Sequence, residues 1–151
     1  MAFVLDASVA VGWVVARQAT TYSRGIRLRA RREPYHAPAL WRLAVVDALR
    51  SLERRRTMAA DAAEVAVDIL ERMRPNFHAA AMPFADLLKL ARKFNLSAYD
   101  ANYLALALEL RLPIACNDGP LRSVLARGRR EARLIPDPGW CAWERLGTSG
   151  Q

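Results

Sequence analysis

Three aspartates in this chain stand beside apolar runs: Asp6 after Phe3 to Leu5, Asp100 at the head of a helix three residues beyond Ser97, and Asp118 just past Pro113 to Cys116. Carboxylates gathered in one crevice repel each other and raise each other's pKa unless a cation neutralises them. Hard oxygen donors without a partnering His or Cys suit Mg²⁺ or Mn²⁺ rather than Zn²⁺. Such an ion acidifies a water and offsets charge building on a phosphate. Each acid also has a purely local reading. Asp6 could cap the first helix, Asp118 could cap a helix at Gly119-Pro120, and Asp100 could be the acidic member of a Ser97-Ala98-Tyr99-Asp100 capping box.

The surrounding elements decide whether the acids meet. Phe3 to Leu5 reads as a buried first strand that feeds through Asp6, Ala7 and Ser8 into an apolar helix ending near Ala16. Arg24 to Arg32 is a basic helical stretch, and Tyr35-His36-Ala37 a second short strand. Pro38 is expected to open a helix from Ala39 to about Arg55, with Leu40, Leu43, Val46 (or Val45) and Leu49 as its apolar stripe. Thr57 is expected to cap another helix through Met73, striped by Val65, Ile69, Leu70 and Met73. Phe77 to Met82 reads as a third strand, and Pro83 opens a helix carrying Phe84, Leu87, Leu88 and Ala91. Asn95 ends it. The nearly all-apolar Ala101 to Leu110 follows, then the strand Pro113 to Cys116, a last helix to about Arg127, and an edge strand at Leu134 and Ile135. Strands alternating with helices define an α/β parallel sheet covered on both faces. In such sheets the ligand crevice lies outside the carboxyl ends of the strands, which is where Asp6 and Asp118 fall and where Asp100 can reach.

Composition narrows the classes. The 151 residues, 53% of them hydrophobic, suit a single globular domain, expected over 1–146 with a disordered tail from 147 to 151, Trp140 and Trp143 packing on the body before it. The net charge is +8, and Lys89 and Lys93 are the only lysines among 23 basic residues. That balance suits an anionic partner, nucleic acid or an acidic protein, or simply a solvated basic surface. Cys116 and Cys141 have neither CxxC spacing nor a disulfide framework, which fits a reducing compartment. The apolar N-terminus has no basic leader and is too short to span a bilayer, so the expected location is the cytoplasm.

Four stretches, VLDASV, PALWRLAVVDAL, LSAYDANYLALAL and LPIACNDGPL, together resemble the PIN domain, in particular the VapC-type toxins of toxin-antitoxin pairs, from Phe3 to about Ile135. The resemblance implies a three-layer α/β/α sandwich with a central, mainly parallel sheet. It implies a Mg²⁺ or Mn²⁺-dependent endoribonuclease that uses four acids to place metal and water. It also implies an RNA substrate, a VapB-like antitoxin as partner, and a homodimer. Asp6, Asp100 and Asp118 match the first, third and fourth acids. Ser8 falls where the family has a hydroxyl near the site, and Cys116 replaces a usual Thr or Ser.

The departure is Ala44, where the family has Glu. A methyl group binds no metal. Three accounts are open: an inactivating substitution, a naturally degenerate site, or partial compensation by Asp47 at i+3. A catalytically silent module that binds antitoxin or RNA without cutting is therefore the second reading. Arg24, Arg27, Arg31, Arg54, Arg55, Arg56, Arg127, Arg129 and Arg130 are candidates for phosphate contacts around the crevice, or for an acidic antitoxin segment. The helices from Ala39 to Leu52 and Val65 to Met73 could form a groove for a partner helix or pack as ordinary core. His36 and His78 read as isolated structural residues, and Trp13, Trp41 and Leu40 as core or helix-interface residues. Other phosphate-handling α/β folds lack a matching site: a haloacid-dehalogenase-type phosphatase would want a second Asp where Ser8 stands, and the acidic pair of a receiver domain is missing.

Overall fold

The computed structural model describes residues 1–117, 119–127 and 133–135. Four strands, β1 (Phe3–Leu5), β2 (Tyr35–Pro38), β3 (Asn76–His78) and β4 (Ile114–Ala115), form one sheet in the order β3-β2-β1-β4, and every pairing is parallel. Among the described residues the helices are α1 (Ala7–Val14), α2 (Thr21–Ala30), α3 (Trp41–Arg54), α4 (Ala60–Met73), α5 (Phe84–Phe94), α6 (Ala98–Leu110) and α7 (Gly119–Ala126). Trp13 of α1 meets Tyr35 edge-on, Arg29 of α2 lies over Phe3, and Trp41 of α3 packs on Phe77, so these helices cover one face of the sheet. Helix α6, with α5 against it, covers the other. The result is a three-layer α/β/α sandwich.

β1 is buried from end to end and lies between β2 and β4. A parallel strand covered on both faces can be wholly apolar, and this one is. Its backbone is fixed to β4 by Val4 N–H to Pro113 O at 2.8 Å and Asp6 N–H to Ala115 O at 3.0 Å. Leu134 adds a single parallel bridge to Ile114 beyond β4, so the expected edge strand is reduced to one pairing.

Several boundaries differ from the sequence expectation for identifiable reasons. Pro38 ends β2 instead of opening a helix. It sits past the last residue that β2 pairs with β1, so its missing N–H costs no ladder bond there, and Ala39 N–H supplies the next bond, to His78 O. Thr57 does not cap α4. It closes α3: its N–H and hydroxyl both donate to Leu52 O at 3.0 Å, after Arg56 turns left-handed at φ 55°. That is a Schellman-type stop built without glycine. Asn95 and Arg111 end α5 and α6 the same way, Leu96 N–H reaching Ala91 O and Leu112 N–H reaching Ala107 O. β3 is Asn76–His78, so only Phe77 and His78 of the expected Phe77 to Met82 run are strand, and Asn76, expected to break the chain, joins it.

The apolar stripes are also shifted. α3 buries Trp41, Val45 and Leu49 and leaves Leu43 and Val46 exposed, while α4 buries Ala63, Ala66 and Leu70 and leaves Val65 and Ile69 outward. On α5, Phe84 is 91% exposed and no residue is fully buried. His36 and His78 are not isolated: Nδ1 of one lies 2.8 Å from Nε2 of the other across β2 and β3. Trp13 and Trp41 are buried, as expected of core residues. The expected tail beyond 146, Trp140, Trp143 and Cys141 lie outside the described residues.

Candidate active site

Asp6 is the N-cap of α1 and one of only two buried polar or charged residues among those described. Its carboxylate oxygen Oδ2 accepts from Ser8 N–H at 3.2 Å, from the Ser8 hydroxyl through a short bond, and from the Cys116 thiol at 3.6 Å. All three donors converge on one oxygen, which leaves Oδ1 without a hydrogen-bond donor among the described residues. The cap explains why the chain turns here; the burial is more than a cap requires. Burial pushes the Asp6 carboxyl above its ordinary value, the Ser8 bonds pull it down, and the field of Asp100 raises it further.

Asp100 occupies the third position of α6. Ser97 caps the helix by accepting from Asp100 N–H at 3.1 Å, which is half of the expected capping box. α2, by contrast, has a complete box, in which Thr20 and Ser23 exchange bonds. Asp100 is half-buried, and that burial raises its carboxyl while the Ser97 hydroxyl lowers it. Helix α6 therefore brings a second carboxylate within electrostatic reach of Asp6.

Ser8 and Cys116 also lie where expected. The Ser8 oxygen, besides holding Asp6, accepts from Asn117 N–H at 3.2 Å, and Asn117 Oδ1 in turn accepts from the Thr20 hydroxyl at 2.6 Å. Arg122 donates to Cys116 O at 2.6 Å and stacks on Tyr22, so the loop after β4 is held from both sides. Asp118, in that same loop, lies outside the described residues. Ala44 is in the first turn of α3, half-buried against the core. Asp47, about 60° further round the helix by the 3.6-residue repeat, is exposed and is not among the groups that shift Asp6. The structure brings together Asp6, Ser8, Asp100 and Cys116, and it does not bring Asp47 to them.

Sequence reasoning missed Tyr103. It is 2% exposed on α6, one turn after Asp100, and its hydroxyl has no hydrogen-bond partner among the described residues. Burial and the fields of Asp6 and Asp100 push its phenol far up. The i, i+3 spacing from Asp100 was the available signal, hidden because a tyrosine within an apolar run reads as core.

Among the described residues no three His, Cys, Asp or Glu side chains gather tightly enough to form a metal site on their own. Two carboxylates, one of them buried with an oxygen left without a donor, and a hydroxyl are nonetheless a donor set that fits a hard divalent cation. The exposed Arg24 lies one turn into α2 from Thr20 and hence close to this edge. The triplet Arg54 to Arg56 lies about 15 Å along the α3 axis from Ala44, at 1.5 Å per residue. Arg129 and Arg130 lie outside the described residues. A separate apolar cleft runs between α3 and α4, lined by Trp41, Val45, Val46, Val67, Leu70 and Phe77, with Arg42 stacked on Phe77 at 4.9 Å. No helix among the described residues is long and apolar enough to cross a membrane.

No protein-family model and no curated protein sequence matches the chain. Among solved structures it is similar to PAE2754 from Pyrobaculum aerophilum, with a TM-score of 0.59 and 18% identity over 99% of this chain and 97% of that one. At that identity the likeness concerns the fold, which is the α/β sandwich described above.

Proposed function

We propose that the chain is a Mg²⁺ or Mn²⁺-dependent endoribonuclease of the PIN-domain, VapC-like kind, impaired as it stands because Ala44 occupies the place of a glutamate. The observation that carries this reading is that Asp100, 94 positions along the chain from Asp6, lies close enough for its field to act on the buried Asp6 carboxyl at the end of β1. A buried carboxylate facing a second one is a costly arrangement that a cation relieves. When bound, the ion supplies an acidified water and charge neutralisation at the scissile phosphate. Asp6 Oδ1 and the Asp100 carboxylate would hold it, with Asp118 as the third acid. Ser8 and Cys116 fix Asp6 by occupying its other oxygen, and the exposed Arg24 would meet an RNA phosphate. The cleft between α3 and α4 would take a helix of a VapB-like antitoxin. A homodimer and a cytoplasmic location belong to the same reading.

The second reading, a silent module that binds antitoxin or RNA without cutting, is favoured by Ala44 itself. RNA cleavage with and without Mg²⁺, by this chain and by its Ala44→Glu variant, separates the two. Cleavage that appears or rises in the variant supports the nuclease. Absence of cleavage in the variant across varied RNAs, with the fold intact, sinks it.

A further inference from the structure

The chain has two histidines, and the fold brings them into contact. The ladder between β2 and β3 pairs His36 with Asn76 and Pro38 with His78, so the two rings stand diagonally across adjacent strands on one face of the sheet. Tyr35 and Phe77, their neighbours in sequence, pack toward Trp13 and Trp41. The imidazoles therefore point to the opposite face, the one that α6 covers. β3 is the outer strand and both histidines are half-buried, so solvent reaches them at the sheet's edge. Nδ1 of His36 lies 2.8 Å from Nε2 of His78, with the ring centroids 5.1 Å apart and the planes tilted by 44°. One ring donates a proton and the other accepts it. No carboxylate acts on His36: burial and His78 hold it below its ordinary value, so at pH 7 the ring is neutral. Neutral imidazoles facing each other, with no anion to fix a charge on them, have lone pairs that a metal can take.

We propose that His36 and His78 form a chelate for a late first-row divalent ion, nickel or copper, through Nδ1 of the first and Nε2 of the second. The ion takes the place of the shared proton, and waters fill its remaining positions. The ring that had donated carries its proton on the far nitrogen instead, so the pair loses none. Metal–imidazole bonds are about 2 Å long, which puts two nitrogens at right angles around a tetragonal ion about 2.9 Å apart, against about 3.3 Å around a tetrahedral one. The observed 2.8 Å suits the first. Turning each ring about its broad χ2 torsion carries the lone pairs from the line between the nitrogens to a common point outside it. The backbone is already in place: Ala39 N–H donates to His78 O at 2.9 Å, and the ladder fixes the spacing of the two strands. Imidazoles select such borderline ions, whereas the carboxylates of Asp6 and Asp100 suit hard ones, so this site is independent of whether the chain cleaves RNA.

The test uses the untagged chain with Ni²⁺ as the probe, in excess MgCl₂ so that sites for hard ions are filled. Because the chain has only two histidines, its imidazole C–H proton resonances belong to these two residues. Up to one equivalent of Ni²⁺ should shift or broaden both sets together. Calorimetric titration should show a site that weakens at least about ten-fold in His36→Gln and in His78→Gln alike, since losing a ligand costs no less than losing a group behind one. Resonances of both rings unmoved at one equivalent, an effect on one ring only, or an affinity unchanged in either variant overturns the chelate. The resonance measurement needs no substitution, so a variant that fails to fold still leaves the proposal decided.

Discussion

Replacing Asp6 by asparagine should make the metal-free protein more stable at pH 7. The amide oxygen can still accept from Ser8 and cap α1, so what the change removes is a charge. Leaving that charge buried costs several kcal/mol in typical proteins, offset by hydrogen bonds to a charged acceptor at about 1.5 to 3 kcal/mol each. The raised carboxyl of Asp6 says that burial outweighs the bonds. A net gain of about 1 to 2 kcal/mol is expected from that difference, or about 2 to 8 °C in melting temperature for a chain of this size. The gain depends on pH. Because the folded carboxyl lies above its ordinary value of 3.8, Asp6 stabilises the fold only at acid pH, and that contribution is lost as pH rises through the folded value. The advantage of Asp6→Asn should therefore vanish near pH 4. Divalent cation should reverse it at pH 7. An ion present at a hundred times its dissociation constant stabilises by about 2.7 kcal/mol, and the variant, short of one ligand, should gain less than half of that. Melts in chelator and in MgCl₂ or MnCl₂, at pH 7 and pH 4, test all three statements. A variant less stable than its parent in chelator at pH 7 refutes the argument from burial.

Two further outcomes follow from packing and charge. A Cβ added at Gly12 would lie 3.0 Å from Gln18 O and from Ser23 Oγ, and Ser23 is wholly buried with its hydroxyl bonded to Thr20. Gly12→Ala should destabilise by about 1 kcal/mol, because overpacking at about 1 to 3 kcal/mol exceeds the roughly 1 kcal/mol helix gain, and thermal or urea unfolding measures it. His36 is held below its ordinary value by burial and by His78, so its contribution to stability is full above about pH 6.5 and is lost as pH falls through the folded value. Between pH 7 and pH 5 this loss opposes the gain from the raised carboxyls, so His78→Gln should raise the melting temperature at pH 5 relative to pH 7 compared with the parent; an unaltered pH slope would contradict the pairing.

The sequence exposed the sheet and two of the site's acids because each rested on local patterns. Asp6 ends an apolar triplet, and Asp100 follows a capping serine at fixed spacing. Local patterns were misleading where one residue type serves two ends: Thr57 could start α4 or stop α3, and the backbone stop at Arg56 decided. Pro38 likewise suits a helix start or a strand end. The pairing of His36 with His78 depends on the register between β2 and β3, set by residues about forty positions apart, and no window of sequence contains it.

β1 has its site-side partner at the far end of the chain: the Cys116 thiol meets Asp6 across 110 positions of sequence. A ribosome adding about 5 to 20 residues per second thus releases Asp6 many seconds before Asp100 and Cys116 exist. Until β4 emerges and pairs with β1, that edge of the central strand is open and the first aspartate has no neighbour to act with. Any chemistry the carboxylates support is switched on late, once β4 and Cys116 have been made.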